Sequence, residues 1–292
     1  MKIFVTGASG FIGSAVTKEL ISSGLEVIGL ARSEESAESI AKAGAIPLRG
    51  SLEDLDSLRR GAGESDGVIN LGFNHDFSQY VTSIQSEAKA IETMGEVLKG
   101  TGRPLIIASG GPTLSEKMDA SASRNPREAG ALKVLELAEQ NVRSSVVRLA
   151  PCVHDETKGG LASILVEIAR RTGVSGYVRD GSNRWCAVHA LDAAHLFCLA
   201  LEKAPAGSVL QGVGDEGIPL IKIAEKIGEH LNVPVRSIPD EEVEKHFGFL
   251  GRVVGTDIPA SSAITQNLLD WRPMHPGLLD DLDHGHFFDN PS

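Results

Sequence analysis

Thr6-Gly7-Ala8-Ser9-Gly10-Phe11-Ile12-Gly13 decides the fold of this chain. The run stands between a short apolar strand pattern, Lys2–Thr6, and a helical periodicity over Ser14–Ser22. Its spacing is GxxGxxG. Gly7 permits a tight turn, Gly10 lets backbone approach a pyrophosphate, and Gly13 lets helix pack on strand. Ser9, Phe11 and Ile12 sit at the helix N-terminus, whose free N–H groups and positive dipole suit phosphate. A second strand pattern, Glu26–Ala31, completes the strand–turn–helix–strand context that a dinucleotide-binding glycine loop requires.

The end of that second strand discriminates between cofactors. An NAD site carries Asp or Glu there for the ribose 2′-hydroxyl. Here the residues are Ala31-Arg32-Ser33. Arg32 can pair bidentately with a 2′-phosphate and stack on adenine, which favours NADP(H) over NAD(H). The alternative is a solvated Arg32 paired with Glu34 or Glu35. Gly50-Ser51-Leu52, after the third strand, is placed to flank the adenine and makes Ser51 and Leu52 cofactor candidates.

Further along, strand and helix patterns alternate. Strands are expected at Ile46–Leu48, Gly67–Leu71, Pro104–Ser109 and Ser144–Leu149, with helices over Ser36–Ala43, Leu52–Gly61, Phe77–Leu98 and Arg127–Gln140. Near-continuous apolar strands separated by helices predict an α/β fold, a Rossmann-type doubly wound parallel sheet covered on both faces. After Ala150 the rhythm changes. Helices are expected at Leu161–Thr172, Leu191–Lys203 and Leu220–Leu231, strands at Gly176–Val178 and Ser208–Val213, and turns at Asp180–Trp185 and Gly212–Gly217. The expectation is a cofactor core over residues 1–150 and a small C-terminal substrate lobe over 151–292, interleaved with the last sheet strands.

Composition narrows the function classes. The chain has 292 residues, 41% hydrophobic and 23% charged, which is globular rather than disordered. A net charge of −11 repels nucleic acid and anionic membrane, so neither is an expected partner. Three cysteines, Cys152, Cys186 and Cys198, show no CxxC spacing and no disulfide framework. The N-terminus lacks a signal-peptide apolar core and no run is long enough to span a bilayer. A soluble, cytoplasmic protein is expected. His284 and His286 have HxH spacing without a completing ligand, so no metal site is expected.

TGASGFIG, the strand order, the segment Asp180–Phe197 and Leu269-Asp270-Trp271-Arg272-Pro273 together resemble the extended or atypical short-chain dehydrogenase/reductase superfamily. The finer likeness is to an NAD-dependent epimerase/dehydratase-like branch, through Phe73–Phe77, Ser145–Leu149 and His246–Leu250. The resemblance covers nearly the whole chain and implies a nicotinamide cofactor, a small-molecule substrate and a habit of dimerising. It also implies a catalytic YxxxK motif with a Ser or Thr that polarises the carbonyl. The chain departs here. Its two tyrosines, Tyr80 and Tyr177, are followed at the fourth place by Ile84 and Gly181. Lys133 stands four residues after Ala129, so the Lys survives without its Tyr on one count; counting back from the next strand places it at Gly130, and both are then missing.

Replacement groups are sought on the strand-end loops, where such sheets bind ligands. The resemblance places Ser109 at the superfamily's Ser/Thr position, to bind a substrate oxygen, against a purely structural strand-end role. His75 titrates near neutrality and is a candidate general acid, with Asp76 orienting it or capping the next helix. By the same resemblance Pro151 and Val153 pass the nicotinamide, His154 faces substrate, and Tyr177, Arg179, Arg184 and Trp185 line the pocket, where the Tyr177 phenol is a second candidate proton donor beside His75. Each has a structural alternative. Tyr177 packs with its hydroxyl bonded, Arg179 is solvated, His189 satisfies a buried contact, and Asp192 caps its helix. Three functions remain open: an NADP-dependent oxidoreductase of a small carbonyl or imine with a replacement proton donor; a redox-silent NADP-binding sensor; and an epimerase or dehydratase without net redox change.

Overall fold

The computed structural model describes residues 1–74, 80–110, 126–157 and 160–289 of the chain. Its first part runs β1 (Lys2–Thr6), α1 (Phe11–Ser22), β2 (Glu26–Ala31), α2 (Glu34–Lys42), β3 (Ile46–Arg49), α3 (Leu55–Gly63), β4 (Gly67–Asn70), α4 (Tyr80–Leu98), β5 (Pro104–Ser109), α5 (Pro126–Glu136) and β6 (Arg143–Leu149). Then come β7 (Cys152–His154), α6 (Gly160–Thr172), β8 (Ser175–Val178), β9 (Arg184–His189), α7 (Ala190–Lys203), β10 (Ser208–Gly212), β11 (Asp215–Pro219), α8 (Leu220–Leu231), β12 (Val235–Ile238), α9 (Val243–Phe247), α10 (Ala263–Leu269) and α11 (Leu278–His284).

Seven strands form one sheet in the order β10-β6-β5-β4-β1-β2-β3, every pair parallel. This is a Rossmann-type doubly wound sheet. Period-two alternation explains why both faces are covered. Ile3 and Val5 join α1, α2 and α7 in one apolar cluster. Phe4, between them, joins α3, α4 and α5 in another on the opposite face. Gly61 lets α3 close on the sheet, since a Cβ there would lie 2.5 Å from the Phe4 ring. The chain leaves β1 toward β2 and β3, then crosses back to β4. The crevice that binds ligands in such sheets opens at the carboxyl ends of β1 and β4.

The remaining strands build a three-stranded sheet, β11-β9-β7, and a two-stranded one, β12-β8. Trp185, Leu220, Ile223, Phe247 and Leu250 fill the core between them and α6, α8 and α11. Two turn expectations are corrected. Arg184 and Trp185, expected in a turn, begin β9, which pairs with both β7 and β11. Asp215 to Gly217, also expected in a turn, belong to β11. In both, pairing across the lobe overrides turn-forming residue types. The turn itself is earlier and tighter, at Arg179 (φ 53°) and Gly181 (φ 69°).

Candidate functional site: the strand-end crevice

Gly7 takes the left-handed conformation, φ 69°, and a Cβ there would lie 2.8 Å from the Leu71 carbonyl carbon. The loop after β4 therefore lies directly against the glycine turn. At Gly13 a Cβ would come within 1.9 Å of Gly7 O, so only glycine lets α1 start this close to β1. Gly10 is the N-cap of α1 and supplies no side-chain hydrogen bond, which leaves the first-turn N–H groups to face the crevice. Ser9 and Gly10 are exposed, whereas Phe11 and Ile12 are half-buried against the sheet core. Below the turn, Thr6 Oγ1 donates to Asn70 Oδ1 (2.7 Å) and accepts from Gly72 N (3.0 Å). The buried Asn70 Nδ2 has no partner among the described residues. An uncapped helix start, glycine at each close approach and an unsatisfied donor beneath fit a dinucleotide pyrophosphate.

Arg32 is exposed at the end of β2. It pairs with neither Glu34 nor Glu35; Glu34 instead meets Arg49 at 3.4 Å. Ser33 caps α2 reciprocally with Ser36, which fixes the backbone that carries Arg32. Ser51 accepts from Glu53 N and Asp54 N at 3.2 and 3.3 Å. Leu52 packs on the sheet core and reaches toward the loop after β4, where a Cβ on Gly72 would lie 3.0 Å from it.

At the next two strand ends the chain builds a polar cluster that its sequence does not announce. Ser109 closes β5, 3% exposed, and its hydroxyl has no hydrogen-bond partner among the described residues. Its register neighbour on β6 is Arg148. That guanidinium donates to Glu128 of α5 at 2.8 Å, with both side chains at most 5% exposed. One residue earlier on α5, Arg127 forms a bidentate pair with Glu87 of α4, at 3.1 Å for each bond. The same guanidinium lies 4.1 Å from the Phe73 ring centroid, a cation–π contact. A cleft between α4, β5 and α5 is lined by Ile84, Glu87, Ile107, Ser109, Arg127 and Gly130. Lys133 is exposed on α5 and acts electrostatically on Glu92 of α4. His75, Asp76 and Phe77 lie outside the described residues.

Beyond β6, Pro151 is half-buried and Val153 packs in the sheet core. His154 departs from its expected place against substrate. It is fully buried, its Nδ1 2.6 Å from Asp281 Oδ2. Asp281 also lies 3.7 Å from His189 Nε2. His189 Nδ1 accepts from Leu191 N and so caps α7, a role expected of Asp192. Asp192 instead binds the Met274 and His275 amides and the His275 ring, tying residues 274–275 to α7. The rings of His189 and His275 stack, with centroids 4.8 Å apart. Burial holds His189 below its ordinary value.

Tyr177 is half-buried on β8, its ring over Gly181. Arg179 is exposed, 4.0 Å from Asp240. Arg184 grips Asp257 with two guanidinium bonds. Trp185 is fully buried in the C-terminal core, away from solvent. That burial replaces the substrate contact expected of it with packing. Cys152, Cys186 and Cys198 are free thiols.

The profile of the NAD dependent epimerase/dehydratase family matches residues 3–111. Uncharacterized protein C2A9.02 of Schizosaccharomyces pombe is 45% identical over 99% of this chain and 100% of its own. Uncharacterized protein YLL056C of Saccharomyces cerevisiae is 47% identical over 97% and 98%. The crystal structure of dTDP-glucose 4,6-dehydratase from Bacillus anthracis, in complex with NAD, superposes with a TM-score of 0.72 at 17% identity, covering 97% of this chain and 96% of that one. The chain belongs to the NAD-dependent epimerase/dehydratase family. Within that family frame, the matched residues contain the glycine loop, Arg32, Glu87 and Ser109, and stop before α5. The helix expected to carry YxxxK instead carries Arg127 and Glu128, each in an ion pair.

Proposed function

We propose that the protein is an NADP-dependent oxidoreductase that reduces a small carbonyl or imine, or runs the reverse oxidation. The observation that carries the cofactor choice is Arg32: exposed, unpaired among the described residues, and standing where an NAD site has a carboxylate. Gly7, Ser9 and Gly10, with the start of α1 at Phe11, Ile12 and Gly13, hold the pyrophosphate. Arg32 takes the 2′-phosphate, Ser51 and Leu52 border the adenine, and Pro151 and Val153 border the nicotinamide. The bound cofactor supplies hydride chemistry. Ser109, whose buried hydroxyl lacks a partner, donates to the substrate oxygen.

Epimerase or dehydratase chemistry without net redox change is the second reading, favoured by the family profile. Fluorescence titration with NADPH and NADH, with benzaldehyde, cyclohexanone or a five-membered cyclic imine added, tests both. Tighter NADPH binding and oxidation with one probe supports the reductase. Binding without oxidation by any probe favours the non-net-redox reading or a redox-silent sensor. Failure to bind either nucleotide sinks the glycine-loop assignment.

A further inference from the structure

We propose that Glu87, held by Arg127, is the group that transfers the proton to and from the substrate oxygen at Ser109, in place of the absent tyrosine; this rests on the oxidoreductase reading above. Three observations on different elements meet here. The buried Ser109 hydroxyl has no partner among the described residues and lines the same cleft as Glu87. Glu87 is 6% exposed at its side chain, and both its oxygens are fixed by one guanidinium. That guanidinium is fixed in turn by Phe73, on the loop leaving β4, so the pair faces the carboxyl ends of β4 and β5. A Cβ added at Gly130 of α5, which also lines the cleft, would meet nothing within 4 Å among the described residues.

The other buried carboxylate nearby does not qualify. Glu128 is spent on Arg148 inside the sheet and does not line the cleft. Burial raises the Glu87 carboxyl above its ordinary value, against the opposing pull of Arg127. The direction favours retention of a proton on the carboxyl.

The carbonyl carbon accepts a hydride from the reduced cofactor, and the C–O π pair moves to oxygen. That oxygen takes the proton of the Glu87 carboxyl, leaving a carboxylate paired with Arg127. The substrate is reduced, the nicotinamide is oxidised, and water returns the proton to Glu87. Arg127 is a positioning residue, acting through Glu87.

The test uses the full chain with NADPH and whichever of the three carbonyl and imine probes the wild type reduces. Glu87→Gln keeps size and one acceptor for Arg127. It is expected to lose at least about 100-fold in kcat, the lower end for general acid catalysis, with NADPH affinity unchanged by fluorescence. The wild-type rate falls as pH rises through the Glu87 pKa, and Glu87→Gln abolishes that fall. Arg127→Met removes a charge that favours the carboxylate, so the fall moves to higher pH. A Glu87→Gln rate within about threefold of wild type, with the same pH profile, overturns the proposal and leaves the reductase reading intact. A wild type that binds NADPH and reduces no probe overturns that reading and this proposal together. If Glu87→Gln does not fold, Glu87→Asp decides: an unaltered rate and pH profile overturns, and a lowered rate with unchanged NADPH affinity supports.

Discussion

Arg148 on β6 reaches Glu128 on α5 through a 2.8 Å bond, with side chains 2% and 5% exposed. Two charges this deep are held by each other, and removing one strands the other in a medium that solvates it poorly. Arg148→Met is expected to cost about 3–5 kcal/mol of stability, the range for breaking one side of a buried pair. Adding Glu128→Leu to the same chain should recover much of that loss. Urea denaturation of the two single variants and the double variant measures the coupling; additive losses would show that the pair does not act as a unit.

Ser109→Ala separates stability from function. The hydroxyl is buried without a partner, so deleting it removes a desolvation cost and should leave the urea midpoint equal or higher. Turnover with the active carbonyl probe should drop at least about tenfold, roughly 1.4 kcal/mol of transition-state stabilisation. An unchanged rate would return Ser109 to a structural role.

Arg32→Ala should weaken NADPH at least about tenfold and leave NADH within about threefold, as expected when one charge-assisted phosphate contact is lost. Arg32 is exposed on a capped helix start, so no change in fold complicates the comparison. Equal losses for the two nucleotides, read by fluorescence, would take Arg32 out of the 2′-phosphate site.

Stability should fall on acidification because of His189. Burial depresses its pKa in the folded protein, below an unfolded value of about 6.5. Above that value both states are neutral and the group contributes nothing. As pH falls below it, the unfolded chain takes up a proton that the folded protein resists, so stability drops until folded His189 also protonates. Asp281 favours the charged form, whereas His154 and His275 oppose it. Urea midpoints measured from pH 7 to pH 5 should decline, and less steeply in His189→Asn. Equal slopes in the two proteins would exclude His189 as the source.

The glycine turn between β1 and α1 was legible because its constraints are local. Gly7, Gly10 and Gly13 lie within one turn and a helix start, so their spacing writes the geometry into the sequence. Ile3, Phe4 and Val5 likewise announce a strand buried on both faces. The buried polar pairs depend on residues far apart in the chain. Glu87 and Arg127 read as ordinary surface charges on two helices until α4 and α5 pack together. His154 finds Asp281 across 127 positions, and nothing near either residue records the pairing. Strands β7 and β12, three and four residues long, were missed. Arg184 to His189 was hidden behind a stretch rich in turn-formers, and only pairing with β7 and β11 makes it a strand.

The parallel pairing of β10 with β6 has a bearing on how this chain can be made or divided. A fragment ending at Ala150 would leave β6 as an open edge, with a row of unpaired amides and carbonyls ready to recruit another molecule. It would also strip α7 from the sheet face it shares with α1, the helix that begins at the glycine loop. During synthesis, the seven-stranded sheet therefore stays incomplete until Gly212 has left the ribosome. A minimal fragment that keeps the whole sheet must extend through that strand, and one cut at the apparent change of rhythm after Ala150 should aggregate.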